Sequence, residues 1–126
     1  MVKIPKEQND SHDWFGDCAE SYVAYLFAKA GLEVFATGKW TADLAVHDRN
    51  DHWRRIEVKS TDRNRPPRNV HRLRNKKAEF LAEVRLVEND RIQLEMYQLQ
   101  NGKRLVKTCR RINSAEELKD YVFTQK

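Results

Sequence analysis

From Asp13 to Ala30 the apolar residues Phe15, Ala19, Tyr22, Val23, Leu26 and Ala30 recur at helical spacing, and Gly31 stands where such a helix stops. Every apolar block that follows, through residue 109, has strand length: EVFATG (33–38), DLAVHD (43–48), WRRIEVKS (53–60), AEFLAEVRLV (78–87), RIQLEMYQL (91–99) and NGKRLVKTC (101–109). RNDH (49–52) reads as a hairpin turn between the second and third blocks, and Asn101–Gly102 is a second hairpin signal. Ser114 can cap a final helix that runs through Phe123, with Glu117 three residues on to complete a capping box. The order is helix, three strands, connector, two or three strands, helix. A succession of this kind buries its apolar faces by laying helix on sheet, so the expected fold is α/β (α+β), one domain over residues 1–126 with a central mixed β-sheet flanked by helices. Residues 1–12 read as a flexible tail and 62–77 as a connector. A chain of 126 residues has room for one ordinary core and not for a second.

Several function classes are disfavoured. The opening MVKIPKEQND is polar, without the apolar run of a secretory signal, and no apolar stretch approaches the length of a membrane span, so an intracellular, cytoplasmic protein is expected. Cys18 and Cys109 lack CxxC spacing and read as free thiols. His12, His47, His52 and His71 show no zinc-ligand spacing, and His47 reads as a plain strand histidine. No GxxxxGK[ST] loop is present, so ATP use is not expected. Asp48 and Asp51 read as turn formers, and Trp14, Trp40 and Trp53 as core residues ahead of base-stacking ones.

Charge supplies the first positive clue. The net charge is +5, yet residues 63–77 alone carry +7, from Arg63, Arg65, Arg68, Arg72, Arg74, Lys76 and Lys77 with no acid among them, which leaves −2 for the rest. Such a block repels itself unless it is solvated or meets a polyanion, and a phosphate backbone is the usual partner. Its length inside a small domain suits a segment that orders on nucleic acid.

The second clue is Glu57-x-Lys59 inside the apolar run RRIEVKSTD. Residues two apart on a strand share a face, about 6.6 Å apart at ~3.3 Å per residue, so Glu57 and Lys59 point one way while Ile56 and Val58 face the core. If the RNDH turn closes a hairpin, Asp43 falls across the ladder from Glu57 or Lys59. Two carboxylates and a lysine would then meet at one end of the hairpin. Like charges so placed are tolerated chiefly where a cation neutralises them, and carboxylates on rigid strands suit Mg²⁺, which keeps much of its water and adds phosphate oxygens. A neighbouring lysine can orient a water and stabilise developing charge on phosphorus. Glu20 lies about 100° from the apolar centre of its helix, where a long side chain could reach the strand ends.

This constellation resembles the PD-(D/E)xK nuclease superfamily, with its restriction-endonuclease-like fold. In that family an acid opens one strand, a (D/E)xK triplet lies on the next, and a glutamate on the preceding helix often completes the site. Asp43 matches the first acid, Glu57 and Lys59 match ExK, and Glu20 matches the helix glutamate; Ala42 stands where the motif has proline. GDCAESYVAYLFAKAGLEVF, ADLAV and IEVKST look most like the small archaeal-type Holliday junction resolvases, over about residues 14–62.

The resemblance implies a metal-dependent DNA endonuclease, structure-specific and resolvase-like, that hydrolyses phosphodiester bonds. Glu20, Asp43, Glu57 and Lys59 would be catalytic, with Asp43, Glu57 and Glu20 as ligands of Mg²⁺, for which Mn²⁺ could substitute. Ser60 and Thr61 would hydrogen-bond a phosphate or a metal-bound water, and the 63–77 cations would grip branched or duplex DNA without reading its sequence. Cutting both strands needs two sites, hence a homodimer or higher homo-oligomer, its interface supplied by the exposed sheet edge or by the strands from 78 to 108, with Phe80, Leu81, Val84, Leu94, Met96 and Tyr97 available to interface or core. Two other readings stay open: a non-catalytic nucleic-acid-binding module on a nuclease fold, and a sequence-specific restriction or homing endonuclease.

Overall fold

The computed structural model describes residues 11–36, 43–62, 77–87 and 91–124. Helix α1 (Ser11–Lys29) leads into strands β1 (Glu33–Ala36), β2 (Leu44–His47), β3 (Trp53–Asp62), β4 (Phe80–Val87), β5 (Arg91–Gln100) and β6 (Lys103–Ile112), and helix α2 (Ala115–Thr124) closes the chain. The strands form one six-stranded sheet in sequence order. All neighbours are antiparallel except β3 and β4, which run parallel with Ile56 opposite Phe80 and Lys59 opposite Glu83. The described residues make a mixed α+β fold, a six-stranded mixed sheet with two helices in a single domain. A parallel pair needs a crossover of a dozen or more residues, and the long stretch between Asp62 and Phe80 meets that length.

Local chemistry explains the punctuation. Gly31 ends α1 with φ +89°, a left-handed position that a side chain resists. Asp48 organises the β2–β3 turn: its Oδ1 accepts from the amides of Asn50 (2.8 Å) and His52 (3.2 Å), and its Oδ2 lies 2.9 Å from His52 Nδ1. Arg49 and Asp51 in that turn take positive φ. Asn101 and Gly102, at φ 53° and 80°, make the tight β5–β6 turn expected from their identities. Ser114 Oγ accepts from the Glu117 amide at 3.1 Å as the helix cap. Glu117 reaches back to the amide of Asn113 (3.4 Å), one residue ahead of the cap. That is a shifted form of the expected box.

Alternation along the strands gives the sheet two unlike faces. Leu44, Val46, Ile56, Val58, Phe80, Ala82, Val84, Leu94, Met96 and Ile112 point to one side, where Ala19, Val23 and Phe27 of α1 and Leu118, Tyr121 and Val122 of α2 complete the core. Both described helices therefore cover the same face. Arg54 helps dock α2: its Nε donates to the Val122 carbonyl (3.2 Å) and its guanidinium lies over the Phe123 ring, a cation at a helix C-terminus. The opposite face carries a small cluster of Leu81, Tyr97 and Leu99 among charged side chains.

Several expectations are refined. Strand β3 extends through Asp62, two residues past the expected end, and three strands follow the connector. Phe80, Val84, Leu94 and Met96 belong to the core, leaving Ile92 and Val106 as the exposed large apolar residues of the last strands. Trp53 is not a core residue. It is 50% exposed, because its register places it on the face away from the helices. Trp40 lies outside the described residues, as does residues 1–10 of the expected tail.

Candidate metal and phosphate site

The β2–β3 register pairs Leu44 with Ile56, and one step further sets Asp43 opposite Glu57. β2 has ended at that point, so the inward-facing amide of Val58 would lack a ladder partner. Asp43 supplies it: Val58 N donates to Asp43 Oδ2 at 2.7 Å. The bond fixes the carboxylate against β3 through one oxygen. The expected convergence of Asp43, Glu57 and Lys59 is present.

Glu57 is 8% exposed, a buried acid in a strand flanked by Ile56 and Val58. Burial pushes its carboxyl above the usual carboxylate range, and the neighbouring Asp43 charge pushes the same way, against the opposing pull of Lys59. Lys59 Nζ stands 3.7 Å from Glu57 Oε2, long for a hydrogen-bonded pair, and its side chain stays substantially exposed. One partly solvated lysine faces two acids. Counting the described residues, the corner sets two acids against one lysine, a balance that a divalent cation would even out.

The donors available to such an ion are two carboxylates. Among the described residues no group of three or more His, Cys, Asp and Glu side chains is arranged to hold a metal, so the gathered pair is Asp43 and Glu57. Two carboxylates suit an ion that keeps several waters and takes phosphate oxygens. Glu20, the third expected ligand, is half-buried on α1, beside Ala19 and one turn before Val23 of the core. Ser60 and Thr61 are half-buried further along β3. Lys77 is exposed just ahead of β4, while Arg63, Arg65, Arg68, Arg72, Arg74 and Lys76 lie outside the described residues.

Two features of this face went unread in the sequence. The first is a charge network on β4–β6: buried Glu83 receives Arg85 at 3.0 Å and Arg104 at 3.5 Å, and Arg85 also reaches Glu95 at 3.2 Å. Its signal was Glu83-x-Arg85, the same period-2 spacing as Glu57-x-Lys59. The second is an aromatic corner: Trp53 stacks on His47 with ring centroids 4.5 Å apart and touches Phe35 at 5.5 Å. His47 is held in turn by Glu33 at 2.9 Å, a structural strand histidine as expected.

Compared with family models, curated proteins and solved structures, the chain matches none of them.

Proposed function

We propose that the protein is a metal-dependent DNA endonuclease of the structure-specific, resolvase-like kind, acting as a homodimer with one site per chain. The observation that carries this reading is the Asp43–Glu57–Lys59 corner, where a buried acid is kept beside a second acid with Lys59 3.7 Å away. A fold selected only for stability has little reason to retain it, since apolar residues of similar volume would serve the strand at least as well. Asp43 and Glu57, with Glu20 as a third candidate, would hold Mg²⁺ or Mn²⁺. When bound, such an ion supplies charge stabilisation at the scissile phosphate and a more acidic water.

The chain's own residues have separate tasks. Asp43 is pinned by the Val58 amide, so its position does not depend on a ligand. Glu57 must shed its proton to serve as a ligand, which ties cation affinity to pH through its raised titration range. Lys59 is near enough to orient a water and exposed enough to meet a phosphate. Lys77 and the cations between residues 63 and 76 would hold the backbone, with affinity falling steeply as salt rises. Since Phe80, Val84, Leu94 and Met96 are core, a dimer would use another surface, for which Val106 on edge strand β6 is 72% exposed.

The basic stretch 63–77 would serve equally well in a second reading, a nucleic-acid-binding module that does not cut. Cleavage of labelled four-way junction, linear duplex and single-stranded DNA with Mg²⁺ separates the two. Junction cutting that disappears in Glu57→Ala and Lys59→Ala while binding persists supports the nuclease. Tight binding by the wild type without cutting of any substrate leaves the module.

A further inference from the structure

The β1–β2–β3 register arranges the face opposite the helices in rows: Glu33, His47 and Trp53 in one, Phe35, Ala45 and Arg55 in the next, then Asp43 with Glu57. Trp53 thus lies four residues from Glu57 on one strand, about 13 Å at ~3.3 Å per residue, with Arg55 midway and on the same face. Trp53 and Phe35 remain 50% and 47% exposed although they touch each other. The indole is held in place from below by the His47 ring, itself fixed by Glu33. Arg55 is exposed on that face.

We propose that this corner, Trp53 supported by His47 and Phe35 with Arg55 beside it, is a stacking platform for an unpaired base of the strand whose backbone runs to the Asp43–Glu57 site. The assignment deepens the nucleic-acid reading above and rests on it. Three observations select this occupant. An exposed arginine between the rings and the acids offers a phosphate contact one nucleotide away from the stacked base, whereas an apolar peptide would bury it without a counter-charge. The rings are pre-positioned yet open, so a base can stack without reordering them. Bases inside a duplex offer no ring face, so the platform selects flaps, junction arms and single-stranded tails without selecting their sequence.

The test is equilibrium binding in EDTA, where cutting plays no part. Labelled blunt duplex and the same duplex carrying a short single-stranded arm are titrated with the wild type, Trp53→Ala and Trp53→Phe. The platform predicts about a tenfold loss for Trp53→Ala on the armed DNA, little change on the blunt duplex, and recovery of most of the loss in Trp53→Phe. Equal losses on both DNAs, or no loss on the armed one, overturn it. A wild type that prefers armed DNA through Trp53 but never cuts with Mg²⁺ sinks the nuclease and keeps the platform; one that cuts and ignores Trp53 does the reverse.

Discussion

Two buried glutamates on neighbouring parallel strands of one sheet face are treated in opposite ways. Glu83, fully buried on β4, is met by two arginines: Arg85, shared with Glu95, hydrogen-bonds its Oε1, and Arg104 pairs with its Oε2 at 3.5 Å without a hydrogen bond. Arg104 also lies over the Tyr97 ring, 4.9 Å from its centroid, which closes the cluster on its apolar side. Among the described residues, Glu57 on β3 has Asp43 beside it, which adds a like charge and a backbone hydrogen bond, and one cation, the substantially exposed Lys59. The contrast separates a buried charge answered by two arginines from one answered by a single lysine among the described residues. A compensated acid holds its surroundings together as part of a network, whereas an under-compensated acid costs stability.

The largest difference should appear in cleavage. Glu57→Gln or Asp43→Asn should lower junction cutting about a thousandfold, the ~4 kcal/mol of a lost charge-stabilising site, while Glu83→Gln changes the rate of the folded protein only a few-fold. Single-turnover kinetics on a labelled junction measures this, and comparable losses for the two glutamates would erase the distinction.

Stability should show the reverse order. Glu83→Gln leaves Arg85 and Arg104 short of a partner in a buried setting and should cost about 3 kcal/mol in urea unfolding. Glu57→Gln should instead stabilise by about 1 kcal/mol at neutral pH, as relief of a functional strain commonly does. The sign follows from the raised carboxyl. The folded protein holds the Glu57 proton more tightly than the unfolded chain, so stability falls as pH rises from the ordinary carboxylate range through the raised one. Melting curves at several pH values should therefore show the Glu57→Gln advantage at neutral pH and its disappearance in acid. An advantage that persists unchanged in acid would mean that the benefit is not electrostatic.

The smallest effect belongs to Lys59. Its pair with Glu57 is long and solvent-screened, so Lys59→Met should alter unfolding by no more than about 0.5 kcal/mol. The same variant should weaken cutting far more than stability. A large loss of stability would make Lys59 a member of the structural network, along with its register partner Glu83.

How much of this was legible beforehand varies by element. Helix α1 and its stop were readable because Ala19, Val23 and Gly31 act through local spacing and backbone conformation. So were the Asp48 turn, the Asn101–Gly102 turn and the Ser114 cap, each made by a side chain or a φ value within a few residues. The site was legible as far as Asp43, Glu57 and Lys59, since a two-residue period and one hairpin suffice to gather them. Trp53 was misread because an aromatic residue beside an apolar run says nothing about which face its register will take.

The sequence by itself determined which residues share a face, since the strand period of two and the helix period of 3.6 are properties of the local backbone. The tertiary structure alone decided what those faces meet. Parallel pairing of β3 with β4 set Lys59 beside Glu83, the return of β6 brought Arg104 over Tyr97, and the placement of both helices on one side left Trp53 open on the other. Each of those outcomes depends on contacts between residues distant in the chain. Whether a buried glutamate finds two arginines or another acid is therefore settled by packing, not by its neighbours in sequence.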